Sequence, residues 1–296
     1  MKKFIKKIII YSFLLFIFLN GVSYLILKKL SSSEFYKPQF VKNANIENKF
    51  DYVVLGSSVG LTTLNTVQID SALNLKGLNI SMDDTSLTTH YLMLNHFYKC
   101  KKSTKKLILC VTPWDLTSQE YKLNNNDYRF LSEVNKDYVS HYYYTMEKEY
   151  FKKLYLSKYF PIIGVSYYNF EIVFPSLLTI FNEKKHNKFD DRGNFSYPNY
   201  GTSKKEVKVK DENILLKNEY FDKIYTFCVK NNIELIVYQS PLLGKKINYL
   251  NIPSGIILIN HSDLINSNLF YDDIHVNSKG RTFCTLAFCK EKKWIK

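Results

Sequence analysis

The chain has 296 residues, 46% of them hydrophobic and 16% aromatic, which excludes a disordered tail and allows a sizeable core in one large domain or two. Its formal net charge is +14, a balance that suits nucleic acid, an anionic membrane or an acidic glycan. The lysines are scattered and no nucleic-acid motif is present, so a nucleic-acid partner is set aside. From the amino terminus, Ile8 to Leu27 form a 20-residue apolar run without a charge, flanked by Lys2, Lys3, Lys6 and Lys7 before it and by Lys28 and Lys29 after it. That length matches one membrane-spanning helix. Gly21-Val22-Ser23 offers a small-x-small cleavage site, but the run is long for a signal peptide and continues past it, so an anchor is preferred over a cleaved signal. The default orientation of such an anchor leaves the amino end in the cytoplasm and the rest outside.

Residues 1–30 are thus expected to be tail and anchor, and the polar stretch 31–50, with Ser31-Ser32-Ser33 and Pro38, a tether. From residue 51 a strand–helix alternation begins. Strands are expected at Asp51–Leu55, Leu78–Met82, Lys106–Val111, Ile233–Tyr238 and Gly255–Ile259, all short continuous apolar runs of the kind buried on both faces of a parallel sheet. Helices are expected at Leu61–Leu73, Ser86–Tyr98, Glu212–Val229 and Ser278–Lys290. The pattern predicts an α/β three-layer fold for residues 51–296. Between about 117 and 211 the alternation breaks down, and a large, partly helical insertion is expected, with helix-like Met146–Tyr159 and apolar Phe170–Phe181. The lysines between 99 and 106 read as a solvated connection. Cys100, Cys110, Cys228, Cys284 and Cys289 match no zinc spacing and are odd in number, so they read as structural. No metal signature, phosphate loop or nucleotide fingerprint is present, and no cofactor is expected.

Two short segments carry chemistry. Gly56-Ser57-Ser58 follows the apolar Tyr52-Val53-Val54-Leu55 at the point where a strand should hand over to a helix. Asp272-Asp273-Ile274-His275 places a carboxylate three residues before a histidine and precedes a helix start, Asn277-Ser278-Lys279-Gly280. A serine hydroxyl needs an imidazole to take its proton, and the imidazole needs a carboxylate to hold its tautomer. Ligands of parallel α/β sheets bind beyond the carboxyl ends of the strands. Ser58 is placed at one such end, and Asp272 and His275 in the loop after the last strand. Each segment alone is a common turn, but their order, separation and strand context together point to a hydrolase or acyl-transferase site.

The pair resembles the first and last blocks of the SGNH (GDSL-like) hydrolase superfamily in its membrane-anchored bacterial form. Gly56-Ser57-Ser58 stands for the family's Gly-Asp-Ser, and Tyr271–Gly280 for its Asp-x-x-His block. The resemblance implies a flavodoxin-like sandwich with Ser58 as nucleophile, His275 as general base and Asp272 as its orienting carboxylate. The middle blocks depart from the family. Asp84 stands where a glycine would give its amide to the oxyanion, and Val111-Thr112-Pro113-Trp114-Asp115 lacks the family's oxyanion asparagine. That leaves Gly56 and Ser58 as the matched backbone, with Trp114 and Asp115 as candidates to shape the substrate site.

The implied activity is that of an anchored, extracytoplasmic esterase or O-acyltransferase acting on O-acetyl groups of a cell-envelope or exported polysaccharide. It would work through an acyl-Ser58 intermediate released to water or to a sugar hydroxyl, with a membrane-bound acyltransferase as a candidate partner. The rival from another class is an inert envelope protein that keeps the fold to bind glycan or a partner. A third reading is hydrolysis of lipid or thioester near the membrane.

Overall fold

The computed structural model describes residues 1–117, 121–201 and 207–295. Its elements in chain order are α1 (Lys2–Ser31), α2 (Lys37–Asn43), β1 (Lys49–Leu55), α3 (Ser58–Thr63), α4 (Thr66–Leu73), β2 (Gly77–Asn79), α5 (Leu87–Lys99), β3 (Ser103–Val111) and α6 (Pro113–Thr117). They continue with α7 (Asp137–Met146), α8 (Lys153–Leu156), α9 (Pro161–Tyr167), α10 (Asn169–Phe181), β4 (Lys210–Leu215) and α11 (Glu219–Lys230). The last are β5 (Glu234–Gln239), β6 (Lys245–Leu250), β7 (Ile257–Asn260), α12 (Ser278–Cys289) and α13 (Lys292–Ile295). The chain divides into a helical unit, Met1–Ala44 with Asp127–Asn187, and a sheet unit, Asn45–Asn126 with Lys188–Lys296.

In the sheet unit five parallel strands run in the order β2-β1-β3-β5-β7. Successive side chains of a strand point to opposite faces. Tyr52, Val54, Ile108, Cys110, Ile236, Tyr238 and Ile259 share one face and pack with Leu64, Ile69, Phe288 and Trp294. The intervening Val53, Leu55, Leu107, Leu109, Leu235 and Val237 are as deeply buried, so both faces are covered and the strands read as unbroken apolar runs. Each such buried side chain contributes roughly 1.5–3 kcal/mol of transfer free energy. Helix α5 packs on α11, while α12 packs on α3 and α4. All five cysteines are free thiols.

Several expectations need correction. The single helix expected over Leu61–Leu73 is two, α3 and α4, separated where Asn65 caps α4 by accepting a hydrogen bond from Val67 N. The helix expected from Glu212 begins only at Glu219, where Asn218 caps it through Tyr220 N. Lys210–Leu215 is instead a strand, paired in parallel with β6. Its charged, good helix-forming residues concealed this, because the pairing partner lies 35 positions on. The stretch around Lys188–Gly201 belongs to the sheet unit rather than to one continuous insertion.

Of residues 31–50, expected as a tether, 31–44 lie within the helical unit, and Lys49 and Phe50 open β1 in the sheet unit. Phe35, Tyr36, Phe40 and Val41 are buried, and Pro38 opens α2 at a position where its missing N–H costs nothing. The polar residues are spent on neighbours: Gln39 donates to Arg129 O at 2.9 Å, Asn43 to Ser31 O at 2.7 Å, and Lys42 pairs with Glu133 at 2.8 Å. Met146 ends α7 rather than starting a helix, and Lys153–Leu156 forms only a short one. The apolar stretch expected at Phe170–Phe181 forms the helix Asn169–Phe181.

Gly280 offers a direct test of this packing. Alanine would gain roughly 1 kcal/mol in helix propensity, but its methyl would stand 2.2 Å from the Leu269 carbonyl oxygen. Backbone cannot yield as a flexible side chain does, so Gly280→Ala is expected to lose about 1–3 kcal/mol net, read as a lower urea midpoint for the full chain in detergent. A neutral or raised midpoint would show that the Leu269 loop moves freely.

Candidate active site

Ser58 is the first residue of α3, directly beyond the carboxyl end of β1. β1 lies between β2 and β3, where the strand order reverses and connections leave toward opposite faces. Gly56 makes the turn compact: a Cβ there would lie 2.8 Å from Cys110 Cβ and 2.9 Å from Cys110 O on β3. One turn into α3, a Cβ on Gly60 would lie 2.7 Å from Ser81 Oγ. These close approaches seat α3 tightly against the sheet, so the Ser58 side chain has a fixed origin.

The second segment is a tight loop closed on itself. Phe270 and Val276 form an isolated antiparallel bridge, and Tyr271 N donates to His275 O at 2.7 Å. Asn277 caps α12 by accepting from Gly280 N at 3.0 Å, and its own amide donates to Asn268 O at 2.9 Å. The helix start read from the sequence is therefore also the clamp that holds the histidine loop.

Within that loop Asp272 Oδ1 accepts from Ile274 N at 3.0 Å and from His275 N at 2.8 Å, and the carboxylate faces His275 Nδ1 at 2.8 and 3.0 Å. A nitrogen set against two carboxylate oxygens must carry the proton, which leaves Nε2 as the acceptor. Ser58 Oγ lies 2.7 Å from that Nε2 and donates to it. Ser58, His275 and Asp272 thus form one continuous relay within the sheet unit. Burial alone would raise the Asp272 carboxyl. The hydrogen bonds from the His275 side chain and from the Ile274 and His275 amides outweigh it and hold the group below its ordinary value, so it stays ionised at neutral pH. His275 is 8% exposed, and its ring lies 5.0 Å from Tyr197, which stacks on Tyr271 at 4.3 Å. The aromatic wall limits the directions in which the imidazole can turn.

The remaining expected residues are placed less directly. Asp84 has φ +54°, the left-handed conformation that favours glycine. A glycine would adopt this conformation without steric cost. Its carboxylate is exposed and accepts from Asn125 Nδ2 at 2.8 Å, while Asn126 donates to Asp83 O at 2.8 Å. Asp115 is buried, and its carboxylate accepts from the Thr112 hydroxyl and from Thr112 N at 3.1 Å, so it holds the corner after β3. Trp114, beside it, is 42% exposed. Sequence reasoning missed Tyr197 and the Asn124–Asn126 run. Three successive asparagines are a visible signal, but nothing in the sequence shows which loop they hold.

Other histidines are committed elsewhere. His90 is fully buried, and burial lowers its imidazole to about 3, so it is neutral. His261 lies 3.2 Å from Glu291, and His186 3.0 Å from Glu34. Among the described residues no cluster of three or more His, Cys, Asp or Glu side chains could hold a metal ion.

No protein-family model matches the chain, and no curated protein matches it either.

Asp115 yields a pH dependence with a definite sign. Burial, partly offset by the Thr112 hydrogen bonds, pushes its carboxyl from 3.8 up to about 6. The fold therefore binds this proton more tightly than the unfolded chain does, and stability falls as pH rises from about 4 to about 6. The full difference is on the order of 3 kcal/mol. In Asp115→Asn, urea midpoints measured across that window should lose this component of the fall. An unchanged slope would show that Asp115 is ionised in the fold throughout.

Proposed function

We propose that this chain is a membrane-anchored, extracytoplasmic serine esterase or O-acyltransferase of the SGNH type, acting on O-acetyl groups of a cell-envelope or exported polysaccharide. The observation that carries the proposal is the continuous relay Ser58–His275–Asp272 at the carboxyl end of β1. Two further features support it. The five parallel strands run β2-β1-β3-β5-β7, an order that supports the expected flavodoxin-like sandwich, and Ser58 follows β1. Helix α1 is long and apolar enough to cross a membrane.

The chemistry follows from the geometry. Ser58 Oγ attacks the acyl carbonyl carbon as its proton passes to His275 Nε2, and the imidazolium so formed faces the ionised Asp272. The oxyanion that develops is met by the Ser58 amide at the start of α3. When the carbonyl re-forms, the sugar oxygen leaves with the proton from Nε2 and the acyl group stays on Ser58 as an ester. Water, giving its proton to the same nitrogen, attacks the acyl carbon, and the acid leaves as the bond to Ser58 Oγ breaks and Nε2 returns the proton to that oxygen. A sugar hydroxyl in its place produces a new ester, and exclusion of water from the cleft favours that route.

The inert-binder reading is favoured by one observation: the segment after β3 spends Asp115 on its own corner and offers no asparagine to the oxyanion. A serine-reactive phosphonate separates the two readings. The enzyme is expected to be labelled at Ser58 and to lose labelling in Ser58→Ala and in His275→Ala, while a binder stays unlabelled. With an acetylated sugar as substrate, Ser58→Ala should lower kcat by about four to six orders of magnitude and Asp272→Asn by about three to four. Undiminished turnover in Ser58→Ala would remove the hydroxyl from the mechanism.

A further inference from the structure

Helix α10 of the helical unit is inverted in polarity. Its buried positions are Ile172, Pro175, Ser176 and Thr179, whereas Phe170, Phe174, Leu177, Ile180 and Phe181 face outward, Phe170 being 70% and Phe181 91% exposed. Phe170, Phe174, Leu177 and Phe181 recur at the spacing of one helical stripe, and Glu171 lies about 100° around the helix from Phe170. A helix at a water surface turns its large apolar residues inward. Helices in lipid do the opposite, setting small and hydroxyl residues against their neighbours. Both hydroxyls are also satisfied within the helix, Ser176 Oγ donating to Ile172 O at 2.6 Å and Thr179 Oγ1 to Ser176 O at 2.9 Å. Pro175 cannot bond the Glu171 carbonyl, and the Tyr36 hydroxyl does so instead at 2.6 Å. Backbone and hydroxyl groups are paired here as they must be where no water is present.

The contact with α1 fixes what surrounds this face. Both α9 and α10 pack along α1, whose inward residues are Ser23, Leu27 and Leu30. Phe160 meets Phe16 with ring centroids 5.8 Å apart, and Ile162 N, at the start of α9, donates to Asn20 Oδ1 at 3.3 Å. At the other end Lys29 pairs with Glu183, just past α10. Only Ile8–Leu15 of the apolar run precede Phe16. Eight residues rise about 12 Å, against a hydrocarbon core of about 30 Å. If α1 spans the bilayer, its part beyond Phe16 must lie in the bilayer, and the elements packed on that part go in with it.

We infer that α9 and α10 form a second membrane-embedded element, seated beside α1 in the half of the bilayer next to Lys28 and Lys29, with the stripe Phe170, Phe174, Leu177 and Phe181 in contact with lipid acyl chains. This rests on the reading of α1 as a spanning helix. The chain is then held by a wedge of three helices rather than a single flexible stalk. Lys28, Lys29, Lys184 and Lys185 mark the headgroup level, where cationic side chains gain from anionic lipid.

The test uses the full chain in nanodiscs of phosphatidylcholine and phosphatidylglycerol containing a phospholipid with a photoactivatable diazirine in its acyl chain, read by peptide mass spectrometry. Adducts are expected on the α1 peptide and, at comparable yield, on Phe170–Phe181. Adducts on α1 with none on α10 overturn the inference and leave the anchor standing. Absence from both shows that α1 itself does not span and overturns the two together. Cross-links from α10 to a second protein chain in place of lipid adducts overturn it in favour of a protein-covered face.

Discussion

Asp272 organises its own loop before it organises the site. Its Oδ1 takes the backbone N–H groups of Ile274 and His275, and the same carboxylate takes His275 Nδ1–H. One side chain therefore sets the backbone path, the direction of the imidazole and its tautomer. Because the donors lie within three residues of the acceptor, little loop-closure entropy is spent in assembling base and carboxylate. Only one long-range meeting is then left to the fold, that of Nε2 with the Ser58 hydroxyl.

The sheet performs that meeting. Parallel strands need crossover connections, and these bring sequence-distant loops to the same edge. Gly56 and Gly60 let α3 approach β3 and Ser81 more closely than any side chain would permit, which sets the height of Ser58 above the sheet. On the other side Asn277 and Gly280 bind the histidine loop to the stretch around Leu269. Both halves of the relay are thus anchored by close backbone contacts. Rigid origins hold a hydroxyl and an imidazole at 2.7 Å.

In the helical unit, polar groups are satisfied from within. The tyrosine hydroxyl over the Glu171 carbonyl, the Asn20 side chain under the start of α9 and the hydroxyls turned back onto α10 all satisfy groups that water would otherwise serve. On α10 the large apolar residues Phe170, Phe174, Leu177, Ile180 and Phe181 face outward. The aromatic wealth of this part of the chain serves its outer surface as well as its core.

Much of this was legible in the residues alone. Continuous apolar runs announce strands buried on both faces, so all five parallel strands were expected, although β2 ends at Asn79 rather than Met82 and β3 begins at Ser103 rather than Lys106. The Asp-x-x-His loop and its cap were legible because their hydrogen bonds are local. The 20 apolar residues between lysines announce α1 in the same way, although the helix runs past them at both ends, from Lys2 to Ser31. Long-range meetings decided the rest. Lys210–Leu215 becomes a strand only because β6 lies beside it, and the stretch after residue 31 folds as α2 because Arg129, Ser132 and Glu133 return to its polar side chains. Tyr197 reaches the His275 ring, and Asn125 reaches Asp84, from parts of the chain with no periodic signature. Sequence by itself determined the elements whose stabilising partners lie within a few residues or whose pattern repeats. Tertiary structure alone decided each pairing of distant groups, since an isolated residue type carries no information about which remote partner will satisfy it.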